Sequence, residues 1–314
     1  MDLVRLGFGL PVSGSWARRD NLVTIAERAE AAGYQSLWAF QRLLHPAEGD
    51  WGPMYHSVTD PLITLAHVAA LTRTARLGVA VLNAPFFTPI LLAKQLNTLD
   101  ELSAGRLDVG LGLGWAKEEF AASGVPFERR GARTDEFIRC LTAIWTQPTV
   151  EFVGEFYSMP PSQVRPPPVQ SPHPPLLLGG GADAALRRAG RLGDGWISAS
   201  RHNLTDIGQA ISTIRAAATE AGREADAMRY IVRGVLSLHD ISGDDEAARR
   251  PLHGTEQQIR DDLKRLAEQG VTEVFLDLNF DPEIGNPDAD PKASMQRAER
   301  ILDTFAPATE MTTR

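Results

Sequence analysis

Apolar residues recur along this chain in two alternating rhythms. Short runs rich in leucine and β-branched residues, at 4–9, 36–39, 76–82, 107–111, 175–178, 195–198, 230–238 and 273–278, are apolar almost throughout, as strands buried on both faces are. Each is followed by a longer stretch, at 20–32, 60–73, 89–102, 130–145, 182–191, 204–221, 255–269 and 291–305, in which apolar positions return every three to four residues, the period of a helix with one buried face. Eight strands in strict alternation with eight helices predict an α/β fold, a closed (β/α)8 TIM barrel forming a single domain over 1–314. An open doubly wound sheet is the competing arrangement. Its Gly-x-Gly-x-x-Gly turn after the first strand is missing, because Gly7, Gly9 and Gly14 have the wrong spacing.

One stretch, 147–174, interrupts the alternation between the fourth helix and the fifth strand. Val150 to Phe152, then Gly154, then Phe156 and Tyr157 read as a small hairpin, and a proline-rich run follows from Pro160. Four more strand-helix units come after it, so it is an insertion rather than a domain linker. The tail from about 307 to 314 has no apolar period and is expected to fray.

Composition narrows the function. Against 32 Lys and Arg stand 40 Asp and Glu, a formal charge of -8, which repels nucleic acid and anionic membrane surfaces. The single cysteine, Cys140, lies in the helical pattern of Phe137, Leu141 and Ile144 and reads as an inert core thiol. No apolar run approaches the ~18 residues of a membrane span, and the opening residues lack the features of a signal peptide. A soluble, cytoplasmic protein is expected.

In such a barrel the chemistry sits in the loops after the strands. The second loop, 41–59, is the longest and holds Arg42, His45, Trp51, Tyr55 and His56, a plausible pocket wall. After the fifth strand come Gly179, Gly180, Gly181 and Ala182 at a helix start. Their backbone can either bind a phosphate with free amides and the helix dipole, or simply make a tight turn. After the fourth strand, Gly112, Leu113, Gly114 and Trp115 either let a flat ligand lie against backbone or relieve crowding at the barrel mouth.

Other chemistries find little support. Among seven histidines there is no His-x-His or His-Glu-x-x-His, so no metal site is expected. No Gly-x-Ser-x-Gly marks a nucleophile elbow. His202 and His239 follow the sixth and seventh strands and read as loop histidines. Glu118 and Glu119 suit a helix start electrostatically, and the cluster of Glu128, Arg129, Arg130, Arg133, Asp135 and Glu136 reads as a solvated helix start laced with ion pairs.

The stretch 99–115, LDELSAGRLDVGLGLGW, followed by Glu119-Phe120, Gly124 and the helix from Arg130, resembles the central signature of the luciferase-like monooxygenase family. The hairpin with Gly154, the run from Pro174 to Gly181 and Asp194-Gly195-Trp196 agree with it in order, so the likeness covers nearly the whole chain. The resemblance implies a barrel that binds FMN or the deazaflavin coenzyme F420, and the Gly-Arg-Leu-Asp-Val-Gly and Asp-Gly-Trp forms are more like the F420 branch. It implies that Gly179, Gly180, Gly181 and Ala182 hold the coenzyme phosphate. It also implies that Ala80 and Val81 form a non-proline cis peptide behind the ring, and that Leu113, Gly114 and Trp115 line the ring pocket. The sequence departs from many F420-dependent relatives just after the second strand, where an acid/base pair is replaced by Phe40-Gln41. Glutamine neither gives nor takes a proton at ordinary pH, which leaves Gln41 as a hydrogen-bonding candidate and His45 and His56 as equal candidates for the proton.

The reading that follows is an F420-dependent oxidoreductase moving a hydride between coenzyme and a small organic substrate, with specificity from the stretch Leu43 to Tyr55 of the second loop and from the hairpin. A reduced-FMN monooxygenase using dioxygen is the alternative, and a coenzyme-binding protein without turnover a third. Arg42, Lys117 and Arg201 are either a basic patch for the acidic tail of F420 or isolated surface cations. A homodimer is expected by resemblance and by base rate.

Overall fold

The computed structural model describes residues 4–49, 51–240 and 249–307. Barrel elements alone are numbered. Strands β1 (Arg5–Gly9), β2 (Ser36–Ala39), β3 (Arg76–Val79), β4 (Leu107–Gly112), β5 (Leu176–Gly179), β6 (Gly195–Ile197), β7 (Arg229–Val235) and β8 (Glu273–Asp277) are all parallel. Each pairs with the next, and β8 pairs with β1, so the sheet closes. Around it lie α1 (Arg19–Ala31), α2 (Pro61–Leu71), α3 (Pro89–Leu102), α4 (Arg130–Thr146), α5 (Asp183–Leu192), α6 (Ile207–Glu220), α7 (Glu256–Glu268) and α8 (Pro291–Thr304). The expected (β/α)8 barrel is the fold. The expected fraying of the tail concerns 308–314, outside the described residues.

Alternate strand residues serve two cores. Leu37 and Ala39 face the helix layer, while Trp38 joins Leu177, Ile197, Ile231, Phe275 and Ala80 in a cluster drawn from the strands and the end of β3 alone, the barrel interior. Trp38 and Phe275 stack at 5.1 Å. That ring explains a small residue opposite: a Cβ on Gly78 would lie 2.3 Å from the indole. At the amino ends of the strands an ionic plug closes the barrel. Asp108, fully buried, takes Arg76 at 2.6 Å and Arg229 at 2.7 Å, and Arg229 also reaches Glu273 at 2.8 Å. Burial works against the Arg229 charge, but the two carboxylates outweigh it and raise its pKa. Asp108 of the family-like Arg-Leu-Asp motif thus belongs to a structural plug at the end opposite the loops that carry chemistry in such barrels.

Four local expectations are revised. The third strand, expected over 76–82, stops at Val79 and resumes at Leu82–Asn83, because the intervening Ala80–Val81 peptide is cis. The seventh, expected over 230–238, ends at Val235, and Ser237–Leu238 pairs instead with His253–Gly254. The hairpin's second arm is Ser158–Ser162, later than expected, because residues 155–157 form the turn. Its amides, at Glu155, Phe156 and Tyr157, donate to the Glu136 carboxylate at 2.9, 2.7 and 2.7 Å. Glu136 is therefore buried, and Asp135 pairs with Arg188, so this part of the helix start is not the solvated ion-pair lattice expected. The proline-rich run that follows is strapped down, its Val169 and Gln170 amides donating to Asp100 at 2.7 and 3.0 Å. Cys140 is buried as expected, and burial pushes its thiol up to about 11.

Candidate functional site

At the carboxyl ends of the strands a cavity of about 380 Å³ opens over the barrel core. Its floor includes Ala80 and Ile197 from the interior cluster. The cis peptide turns Val81 into the cavity wall, and the glycines beside it make room. A Cβ on Gly112 would lie 2.5 Å from one Val81 methyl, and a Cβ on Gly179 3.0 Å from the other. Of the two roles open for Gly112, relief of crowding at the mouth is the one this contact demonstrates. Gly114 has a φ of +77°, and a Cβ there would also meet the Phe120 ring at 3.0 Å. The result is an apolar ridge, Val81, seated between two strand ends.

The opposite end of the cavity is polar in a different way. Gly180 has a φ of +126°, a conformation that favours glycine. Its carbonyl accepts a 2.7 Å bond from the Trp196 indole, which anchors the turn to β6. Ala182 caps α5 with no side-chain acceptor for the helix amides. The amides of Gly180, Gly181 and Ala182 find no acceptor among the described residues. Free amides converging at a helix start attract an anion through both hydrogen bonding and the helix dipole.

Gln41, Ala80, Val81, Leu113, Gly114, Trp115, Gly179, Gly180, Gly181 and Ala182 all line this one cavity. The Gln41 side chain is buried and its Oε1 accepts from the Asn83 amide at 2.8 Å, which leaves the amide nitrogen as its donor. His45 and His56 are not among the lining residues. They pair with each other at 5.3 Å, with His45 against Trp51 and Trp51 against Trp115. The hairpin likewise contributes no lining residue, because its connection leaves from the amino end of β5 and folds along the outer helices. The expectation that it sets specificity at this cavity is corrected.

Three charged groups take places that the sequence did not predict. Arg42 is not a surface cation: its guanidinium lies under Trp115 at 4.9 Å, Tyr55 at 5.2 Å and Trp51 at 5.5 Å, with its Nε 3.2 Å from Glu119. Burial lowers its pKa, and Glu119 opposes that shift. Glu119 is wholly buried and also accepts from the Leu43 amide at 2.7 Å, so it ties the second loop to the fourth. The aromatic residues of the second loop hinted at a pocket wall, and nothing in the sequence linked Glu119 to it. Arg233, in β7, reaches Asp277 at 2.5 Å and donates to the Ala80 carbonyl at 3.3 Å, beneath the Phe40 and Phe280 rings. It lies inside a strand pattern of apolar neighbours, and no sequence signal marked it.

Among the described residues no group of His, Cys, Asp and Glu could hold a metal ion, and no helix is long and apolar enough to cross a membrane.

Comparison with known proteins agrees with this architecture. An uncharacterised protein of Mycobacterium tuberculosis is 31% identical over 295 residues, covering 90% of this chain and 92% of its own. An FMNH(2)-dependent dimethylsulfone monooxygenase of Pseudomonas putida is 36% identical over 203 residues, 63% of this chain and 53% of its own. The structure of a coenzyme F420 dependent tetrahydromethanopterin reductase from Methanopyrus kandleri superposes with a TM-score of 0.72 at 18% identity, covering 95% of this chain and 98% of its own. Residues 7–253 match the luciferase-like monooxygenase family. A closed barrel with the cis peptide, the glycine turn and the Asp-Gly-Trp anchor in their places makes this chain a member of the luciferase-like monooxygenase family.

Proposed function

We propose that the chain is an F420-dependent oxidoreductase acting on a small organic substrate. One observation carries the proposal: a single cavity presents an apolar ridge at Val81 and three amides, at Gly180, Gly181 and Ala182, without an acceptor among the described residues. A flat ring joined to a phosphate fits both ends, and the cradle is lined by glycines whose Cβ atoms would meet neighbours at 2.5–3.0 Å at Gly112, Gly179 and Gly180. The choice of the deazaflavin rests on the resemblance of the Gly-Arg-Leu-Asp-Val-Gly and Asp-Gly-Trp segments and on the F420-dependent neighbour. Such a coenzyme, when bound, carries the hydride chemistry itself. The protein's share is to bind and to orient. In this reading the glycine turn holds the phosphate, Val81 backs the ring, and the Gln41 amide donates to ring or substrate. Trp115, Tyr55 and the Arg42–Glu119 pair wall the substrate space and exclude water. Proton supply falls to substrate, solvent or a rearranged second loop carrying His45 and His56.

A second reading, a monooxygenase on reduced FMN, is favoured by the Pseudomonas putida relative and by Gln41, which cannot serve as the acid a carbonyl reduction uses. Parallel titrations with F420 and with FMN, followed by coenzyme fluorescence, separate the two. Gly180→Asp places a carboxylate and a side chain in the turn and is expected to abolish binding of either. FMN binding alone moves the assignment to the second reading, and undiminished binding by Gly180→Asp overturns the glycine-turn assignment. We also propose a cytoplasmic homodimer, supported by Ile63 on α2 and Leu91 on α3, apolar and 73% and 54% exposed on neighbouring helices. Light scattering on the same samples should give twice 34.2 kDa, and a monomer mass would refute it.

A further inference from the structure

Beyond the main cavity lies a second, of about 170 Å³, that shares Ser200 and Arg233 with it. Arg201, His202, Asn203, Arg250 and His253 complete its polar wall, and among the described residues no carboxylate lines it. That is contrary to the chain's overall charge of -8. Its cations are distinguished by what they do not meet. Arg249 is neutralised by Asp262 at 2.7 Å, and Arg233 by Asp277. Arg201 and Arg250 are exposed and, among the described residues, have no carboxylate partner. The Nε2 atom of His253 is buried without a hydrogen-bond partner. Burial pushes both histidines below the usual imidazole range, so the arginines carry the charge at neutral pH.

The position is as telling as the charge. His202 closes against the glycine turn, where a Cβ on Gly181 would lie 3.0 Å from its Nδ1, and its ring packs edge-on to Trp196 at 5.3 Å. Arg233, in the common wall, bonds the carbonyl of the peptide behind the expected ring. His253 is held at this mouth by the pairing of its strand with Ser237–Leu238. The second cavity therefore adjoins both the expected phosphate position and the expected reaction centre.

We infer that this second cavity is an anion subsite, in which Arg201 and Arg250 bind a carboxylate or phosphate group belonging to a molecule that extends from the main cavity past Ser200 and Arg233. Guanidinium groups suit such oxyanions because their planar donors match them two at a time. The subsite stands on its own geometry, and only the source of the anion rests on the proposed F420 reading. Two sources share this chemistry: the acidic tail that follows the phosphate of F420, and an acidic group on the substrate.

The test uses the full chain and calorimetric titration of inorganic phosphate. Wild type is expected to take phosphate at two sites, the glycine turn and the subsite. The double variant Arg201→Ala/Arg250→Ala should lose one, and Gly180→Asp the other, with Lys264→Ala, on the far turn of α7, as control. Loss of a charge-assisted contact corresponds to roughly tenfold weaker binding or more. Unchanged phosphate uptake in the arginine double variant overturns the subsite. Loss in that variant with none in Gly180→Asp upholds the subsite and overturns the glycine-turn reading instead. Titration with F420 and with its form lacking glutamates then identifies the source. A tail in the subsite makes wild type favour the glutamylated form by about tenfold or more, and the double variant erases that preference. A substrate group leaves the two forms equal, with phosphate still bound by the wild-type coenzyme complex and not by that of the double variant.

Discussion

If the ring lies against Val81, its seat depends on a missing methyl group at Gly112. Gly112→Ala would place a Cβ 2.5 Å from Val81 Cγ2, whereas carbon atoms rest at about 3.5–4.0 Å. One of them must therefore withdraw by about 1 Å. Gly112 belongs to a buried strand paired to its neighbours, and the Gly179 backbone flanks the other side of Val81 so closely that an added Cβ would lie 3.0 Å from its second methyl. The movable part is Val81, and it can move only out of its seat, toward the cavity. Overpacking of this kind costs about 1–3 kcal/mol of stability. A 1 Å shift of the surface under a ring removes a quarter to a half of each contact or creates a clash, so coenzyme affinity should fall at least about tenfold, or about 1.4 kcal/mol. Fluorescence titration and a thermal melt on the same preparation measure both effects. The control is Gly208→Ala in α6, where the nearest atoms would be 3.5 Å away. There stability should hold or rise by up to ~1 kcal/mol with no change in binding. A Gly112→Ala protein that is less stable yet binds coenzyme within twofold of wild type would refute the placement of the ring against Val81.

The buried pair at the second loop gives a contrast between adjacent glutamates. Glu119→Gln leaves the Arg42 charge uncompensated under its aromatic rings and should cost about 3 kcal/mol, whereas exposed Glu118→Gln should stay within ~0.5 kcal/mol; equal melting temperatures for the two variants would show that Glu119 does not hold the loop. A second outcome is read from pH. Burial alone would raise the Asp262 carboxyl, but hydrogen bonds from Arg249, Arg265 and the Leu252 amide outweigh it and hold it below the usual range. Its stabilisation is therefore complete above about pH 4, where an unfolded aspartate is ionised, and is lost as pH falls through the lower folded value. Asp262→Asn should flatten the acid limb of the stability curve below about pH 4, and an unaltered limb in denaturant titrations across pH would contradict the assignment.

Sequence and structure divided the information along physical lines. The eight-unit barrel was legible because strand burial on two faces and helix burial on one leave periods of their own in the sequence. The glycine turn was legible as backbone because three glycines between a buried strand and a helix start mark a tight strand-to-helix connection. Cys140 in its helix was readable for the same local reason. Even so, the motifs that carry the family likeness acquired their meaning only in three dimensions. Asp108 plugs the barrel floor, Asp194 accepts the Leu176 amide at 2.9 Å, and Trp196 anchors the turn at Gly180. The glycine at 112 makes room for Val81, which lies thirty-one positions away.

What the sequence could not reveal is which polar residues meet. Arg42 and Glu119 lie on different loops, Arg233 sits in a strand of apolar neighbours, and Arg201 and Arg250 are far apart in the chain. Their contacts depend on barrel closure, which sets strand ends side by side whatever their distance in sequence, and a local period carries no record of that. Thus local pattern determined the scaffold and the backbone features of the cavity. Only the tertiary structure decided that His45 and His56 stand behind an aromatic screen, that the hairpin runs along the outer helices, and that Arg201 and Arg250 adjoin the mouth. Hydrophobic burial is periodic along the chain, while charge pairing is a property of the closed surface.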